Sequence, residues 1–531
     1  MYVWCERNVM DSYDVVVIGS GHNALIAAAY LARAGKSVLV LENNDRIGGL
    51  VRTEELTLPG FKHDVYSSAH PLFTTSQAYA DLGADLTARG LRYINTDIPT
   101  GVSFSDGRTA ILPQAFEAAL AEAERLATGD GAVLGQMLAS FNPYVEDVFG
   151  LFSMDLQSPT AQTMIQRLLR SETGYSPFSK LLFETARNVV SPFQSPVMQA
   201  MLAPWVMHLG RTPDEIGSGL WVYLIVLATM GAGMATPEGG SEQLARALGS
   251  LISDHGGVIR TQTAATRIVL SNGKASEVHT NTGEAFGVRE HVIASVNPDQ
   301  LYLRLLADSP QPEHVLQQAK EFRYGRGCVQ IHLALSEPPR WPDARFNRIG
   351  QPHLTDGLNQ CTLAVAQAMA GLLPINPTFT VDCPTNLDPT RAPAGKAIMR
   401  IQVLEVPCRP IGDAAGQIAV GDGTWTGDLT QRFVERILAI VERHIPNIPS
   451  SVVGLHTVTP TSLAQFSPNL GPGDPYGGAH DLAQSYLLSP LPAQPSHRTL
   501  VPNIFMLGAA TWPGHGINGG SGYIVAKQLL G

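Results

Sequence analysis

Gly19-Ser20-Gly21-His22-Asn23-Ala24 is the first run of residues whose types and spacing suit chemistry. Gly19 allows a tight turn, and Gly21 leaves the backbone open to a bulky anion. Ala24, at the position of a third glycine, is small enough for a helix to lie against a strand. Free N–H groups at the start of that helix would face a pyrophosphate. Glu42, about 20 residues further on, can accept hydrogen bonds from ribose hydroxyls. Ser20, His22 and Asn23 complete the loop, and the whole reads as a dinucleotide site. A second glycine pair follows in Glu42-Asn43-Asn44-Asp45-Arg46-Ile47-Gly48-Gly49, an extension not expected of a plain NAD domain. At the far end of the chain, Gly508 opens a third glycine-rich stretch that holds Trp512, His515, Gly516, Ile517 and Asn518. The ordinary imidazole pKa of about 6.5 suits His515 to proton transfer at neutral pH, or to orienting a polar group. Trp512 is expected to wall a pocket. His208, in Trp205-Val206-Met207-His208, is either a pocket residue or a satisfied core histidine. His63, Asp64 and His70 have no third ligand at metal-binding spacing, so no metal site is expected.

These residues need a scaffold. Tyr13–Ile18 is an apolar, β-branched run suited to a strand buried on both faces. Leu25–Ala34 is Ala-rich and helical, ended by Gly35, and Ser37–Leu41 is a second strand. Mid-chain, the spacing predicts a helix over 241–256 with Leu244, Leu248, Leu251 and Ile252 on one face. Strands follow at 258–260, 263–270 and 277–280, with a two-residue hairpin at Asn272-Gly273, then a buried strand from Val292. Asn503–Gly508 is a last strand and Tyr523–Leu530 a closing helix, with a helix start expected near Gly519.

The chain has 531 residues, roughly three folding units. A hydrophobic content of 44% rules out wholesale disorder. A net charge of −10 without a long basic run argues against nucleic acid as a partner. The five cysteines, at 5, 328, 361, 383 and 408, form no C-x-x-C pair, so neither a disulfide framework nor a zinc site is expected. No apolar leader is visible in Met1–Met10, and the expected compartment is the cytoplasm. The uncharged stretch 216–236 is long enough to span a bilayer, but five Gly or Ser residues and the lack of a cation at its end favour a buried helix beside a large pocket. Peripheral membrane contact stays open.

The glycine motifs, Gly21-His22-Asn23-Ala24 and Ala28–Gly35 resemble those of the phytoene-desaturase-related FAD-dependent oxidoreductases, in the glutathione-reductase-type branch that also holds the amine oxidases. Thr53-Glu54-Glu55, Pro59-Gly60-Phe61 and 474–478 are similar to the pyridine nucleotide-disulfide oxidoreductase domain 2 group, although no C-x4-C redox pair stands beside the first motif. The resemblance implies an α/β fold, a Rossmann-type FAD-binding domain with a discontinuous α+β substrate domain. It apportions the chain as FAD-binding segments 11–75, 236–300 and 496–531 around substrate segments 76–235 and 301–495. It places Asn43, Arg46 and Gly48-Gly49-Leu50-Val51 along the cofactor, and the backbone of Ala265 at the adenine. Gly508 and Gly516-Ile517-Asn518 fall at the flavin, where a helix near Gly519 aims its positive end. The implied reaction takes hydride from a C–H bond of a largely apolar, lipophilic or aromatic small molecule to flavin N5, with oxygen, a quinone or a nicotinamide as electron acceptor. A flavin amine oxidase, a redox-neutral FAD-dependent isomerase and a non-catalytic escort like the GDP-dissociation inhibitors are the alternatives, and a homo-oligomer stays open. Trp512-Pro513-Gly514-His515-Gly516 departs from the His-Pro-Gly-Gly-Gly of that family, so its substrates do not carry over.

Overall fold

The computed structural model describes residues 10–531. Cys5 lies outside the described residues, and the other four cysteines are free thiols. The chain begins with β1 (Ser12–Ile18), α1 (His22–Arg33) and β2 (Val38–Leu41), followed by α2 (Gln77–Ala88) and the paired strands β3 (Thr100–Ser103) and β4 (Thr109–Leu112). A long helical stretch ends in α3 (Gly219–Ala232). Then come α4 (Glu242–Asp254), β5 (Val258–Arg260), β6 (Ala265–Ser271), β7 (Lys274–Thr280) and β8 (Ala285–Ala294). The remainder holds β9 (Gly327–Leu335), β10 (His353–Leu354), β11 (Phe379–Asp382), β12 (Ala397–Val406), α5 (Gly427–His444), β13 (Val452–Val458), β14 (Ile504–Met506) and α6 (Gly520–Leu530).

Three distant parts of the chain build one seven-stranded sheet, in the order β5-β2-β1-β8-β7-β6, with β14 also on β8. β8 is the pivot. Its first half pairs antiparallel with β7, and its last residues, Val292–Ala294, run parallel to β1 on one side and β14 on the other. The sharp hairpin between β6 and β7 falls at Asn272-Gly273, both with positive φ. Ile18, Leu41, Ala294 and Met506 all end at the same carboxyl edge. α1 is buried from Asn23 to Ala32 on every side, because α4 and α6 both cover it; that is why its sequence carries no polar stripe. It starts at His22 and α6 at Gly520, each three residues before the sequence-based start, because glycine and polar residues fill both first turns.

A second seven-stranded sheet, β13-β9-β12-β11-β10-β3-β4, is mostly antiparallel. Val329, Ile331 and Leu333 of β9 and Met399, Ile401 and Val403 of β12 pack against Phe433, Ile437 and Val441 of α5. The core of the first sheet reaches past residues 75 and 300, where the sequence places its boundaries. Ala78, Leu82 and Leu86 of α2 join α1 and α4, and Leu301, Tyr302, Leu305 and Val315 lie under the same strands. α3 is buried among Met198, Leu202 and Phe141 in a third cluster. Among the described residues, no helix is long and apolar enough to cross a membrane.

Folding also buries many imidazoles in neutral form. Burial lowers His63, His70 and His353 from 6.5 to about 3, and His22, His444, His480 and His497 to about 4. The unfolded chain takes up these protons near pH 6.5 and the folded chain does not, so stability present above pH 6.5 is lost as pH falls toward 4. The slope is up to about 1.4 kcal/mol per histidine per pH unit. Glu405 and Asp474, pushed up to about 8 and about 6 by burial, and Glu215, also raised by burial, act in the opposite direction, but they are three groups against seven. The urea midpoint should therefore fall steeply between pH 6.5 and pH 4; a flat or rising midpoint over that range would contradict the neutral burial of these rings.

Candidate active site

The carboxyl edge of the parallel sheet opens into a cavity of about 620 Å³. One part of its wall comes from the β1–α1 turn, the ends of β2 and β8, and the loop between β14 and α6. Another part comes from β9 and β12 of the second sheet, through Gln330, Arg400 and Gln402.

The β1–α1 turn is held open as backbone. Gly19 has φ +87°, and a Cβ there would sit 3.3 Å from the Ser295 carbonyl. Gly48 N donates to Ser20 O at 2.9 Å, which brings the second glycine pair against the first. A Cβ on Gly49 would lie 3.2 Å from Gly21 Cα. The amides of His22, Asn23 and Ala24, in the first turn of α1, have no acceptor among the described residues and no side-chain cap. α6 starts alongside: Gly522 N donates to Asn23 Oδ1 at 3.2 Å, and a Cβ on Gly522 would run into the Asn23 carbonyl. Neither helix has an acidic residue in its first turn. Two helix starts therefore place positive ends beside one cavity, a setting for an anionic group such as a pyrophosphate. Glu42 braces the loop: Oε2 accepts from Ser20 N at 3.0 Å and Ser20 Oγ at 2.5 Å, and Oε1 accepts from Asn44 N at 2.8 Å. A carboxylate has about four acceptor positions, so one is left for a hydroxyl.

Most of the sequence-derived site residues reach this cavity. Gly19, Ser20, Gly21, His22 and Asn23 line it, as do Glu42 and Asn43, Gly49 and Leu50, and Ala265. So do Gly508, Gly516, Ile517, His208 and His515. Six do not. Ala24 and Val51 are packed in the core with α1 and α4, and Gly48 lies against Ala245, where a Cβ would come within 2.7 Å. Arg46 points outward and faces Asp45 at 3.7 Å. Asn518 ties the loop together instead of facing the cavity: its Nδ2 donates to the carbonyls of Gly514, His515 and Gly516, and its Oδ1 accepts from Gly520 N at 2.8 Å. Trp512 turns away, donating from Nε1 to Leu151 O at 2.8 Å, and walls a separate hollow of about 30 Å³. Of the stretch 216–236, only Met234 borders the main cavity; α3 itself is core.

His515 differs from its expected state. Its Nε2 donates to the His208 carbonyl at 3.1 Å, since that oxygen can only accept, and this leaves a lone pair on Nδ1, which is buried without a partner among the described residues. Burial first, then His480 at a ring separation of 4.2 Å, push its pKa well below 6.5, so the ring is neutral at pH 7. His208 is also held neutral by burial, stacked on Trp205 and 3.2 Å from His353 between their Nε2 atoms.

Sequence reading missed the polar wall. Gln330, Gln351, Arg400 and Gln402 all line the cavity. The available signal was a period of two: Gln330 and His332 in β9, and Arg400 and Gln402 in β12, interrupt otherwise apolar runs at alternate positions. Tyr66, Ser68 and Ser295, also in the lining, sit on connections, and Arg304 in a single helical turn, Leu301–Leu305; none carries such a pattern.

The model of the family described as flavin containing amine oxidoreductase matches residues 25–530. A rat pyridine nucleotide-disulfide oxidoreductase domain-containing protein 2 is 26% identical, across 97% of this chain and 94% of its own. One of the limonene dehydrogenase chains of Castellaniella defragrans and a neurosporene-forming phytoene desaturase of Cereibacter sphaeroides are each 23% identical, across 97% of this chain and 94% of theirs. Among solved structures, a triple variant of putrescine oxidase superposes with a TM-score of 0.61 at 15% identity, over 98% of this chain and 99% of that one, a likeness of fold. The open glycine backbone, the unpaired helix-start amides and the spare acceptor position on Glu42 fit FAD, the cofactor of such enzymes. The chain belongs to the flavin containing amine oxidoreductase family, as an FAD-dependent oxidoreductase related to the phytoene desaturases.

Proposed function

We propose that the protein is a dehydrogenase, desaturase or oxidase of a small molecule with a largely apolar skeleton. FAD, when bound, supplies the acceptor for a hydride taken from a substrate C–H bond. The observation that carries this reading is the continuity of the cavity: the start of α1, the loop between β14 and α6 and the wall built by the second sheet line one and the same cavity. In it, the amides of His22 and Asn23 would hold the cofactor's phosphates and the spare acceptor position of Glu42 would take a ribose hydroxyl. The backbone near Ala265 would meet the adenine, and Gly508 with Gly516-Ile517 would hold the flavin. Leu72, Leu209, Met234 and Phe466 keep water from the reacting end.

His515 serves in this account as a neutral acceptor through Nδ1, orienting a polar group of cofactor or substrate. A ring so hard to protonate stores no proton at pH 7, which separates it from a general base tuned near neutrality. The amine-oxidase alternative is disfavoured by charge. Glu42, at the cofactor end, is the only carboxylate lining the cavity among the described residues, so an ammonium substrate meets no countercharge at the other end. A redox-neutral isomerase would need reduced FAD and would give no net bleaching.

The protein should purify yellow with one FAD per chain and bleach anaerobically with its substrate; colourless protein that takes up no FAD would overturn the reading. Glu42→Ala should weaken FAD by roughly 1.5–3 kcal/mol, the value of a charged hydrogen bond. Arg46→Ala should leave FAD affinity within about twofold of the parent, because Arg46 points outward. Equilibrium titration of the apoprotein checks both, and the reverse ranking would contradict the placement. His515→Ala should retain FAD, shift the flavin spectrum and slow flavin reduction by less than about tenfold. A loss of about 10²–10⁴-fold in stopped-flow reduction would make His515 the general base instead.

A further inference from the structure

The second sheet presents polar side chains to the cavity at positions where folding alone calls for apolar ones. β9 is buried along its whole length, and β12 nearly so. One face obeys the expectation and packs on α5. The other carries Gln330 on β9 directly across from Gln402 on β12, with Arg400 two residues along and Thr380 of β11 next to Gln402. Gln351 reaches the same patch, its Nε2 3.4 Å from Thr380 Oγ1. Polar groups buried away from water destabilise a fold unless each finds a partner.

The patch is also oriented. Arg400 donates from Nε to Asp382 Oδ1 at 2.9 Å, from Nη2 to Ser68 Oγ at 2.8 Å, and from Nη1 to the Tyr66 carbonyl and to Gln330 Oε1, the last at 3.3 Å. A guanidinium has no acceptor, so it settles which way the Gln330 amide faces: oxygen toward Arg400, NH2 away from it. That NH2 has no partner among the described residues, and Gln330 borders the cavity. Asp382 balances the charge of Arg400. With His208 and His515 neutral, the Gln330 NH2 is an oriented donor in surroundings without net charge. Its complement is a neutral oxygen acceptor. A pure hydrocarbon would leave the amide dry and unpaired, and an ammonium, itself only a donor, would not pair with the Gln330 NH2.

We propose that Gln330, fixed by Arg400, and Gln402 read a neutral carbonyl oxygen, of a ketone, ester or amide, on an otherwise apolar substrate. The proposal rests on the FAD-oxidoreductase reading and narrows its substrate class.

The test uses the FAD-loaded protein and a matched pair of probes, limonene and carvone, which share a skeleton and differ by one carbonyl group. Binding is followed by perturbation of flavin absorbance and by the shift in thermal midpoint. The parent protein should bind carvone at least tenfold more tightly than limonene. Gln330→Leu should keep its FAD and lose that preference; Gln402→Leu serves if Gln330→Leu does not fold. Equal affinities in the parent protein, a preference unchanged in both variants, or no saturable response to either probe would overturn the proposal while a yellow protein leaves the FAD reading standing. A protein that takes up no FAD overturns both.

Discussion

The structure depends on leaving backbone N–H groups unpaired at one edge of a sheet. The first-turn amides of α1 have no acceptor among the described residues, and the start of α6 is held beside them by Asn23. Donors without partners are costly, and in the FAD reading an anion would complete the set. The glycines follow from the same demand. At Gly49 a side chain would run into Gly21, and at Gly522 into the Asn23 carbonyl, so bare backbone is the only material that brings these segments together. β8 gathers the pieces, since its last residues bind β1 on one side and β14 on the other and so align three carboxyl ends from opposite parts of the chain.

The second sheet meets a different constraint. Its α5 face is a conventional apolar core, and its cavity face carries a polar network stabilised internally by the Arg400–Asp382 pair, both partners nearly inaccessible to water. A buried ion pair of this kind adds little net stability, and removing one partner is strongly destabilising. Its role here is to orient neighbours. The imidazoles around the cavity follow a similar logic: burial keeps His22, His208, His480 and His515 uncharged, so they act as hydrogen-bonding groups of fixed orientation.

Much of the cofactor half was readable from sequence, because each demand leaves a local mark. Gly19, Gly21 and Glu42 stand at fixed separations around a strand and a helix, and Asn272-Gly273 announces its own hairpin. Residues that act through packing leave no such mark. Val51, Gly48 and Asn518 shape the site from behind, and Trp512 is oriented by the Leu151 carbonyl, some 361 positions away in sequence. The resemblance places Arg46 along the cofactor, beside the glycine pair, yet nothing local tells which way it turns. The substrate wall was hidden for the same reason. Gln330 and Gln402 become neighbours only through strand pairing across the sheet, and the fixed state of His515 needs His208 and His480 around it.

The most direct measurement is an experimental structure of the protein purified with its own cofactor. The account predicts FAD with its pyrophosphate oxygens about 3 Å from the amides of His22 and Asn23, its ribose on Glu42, and its ring system between the Gly508–Ile517 loop and the wall that carries Gln330. A pyrophosphate elsewhere, with the α1 amides left to water, would contradict it.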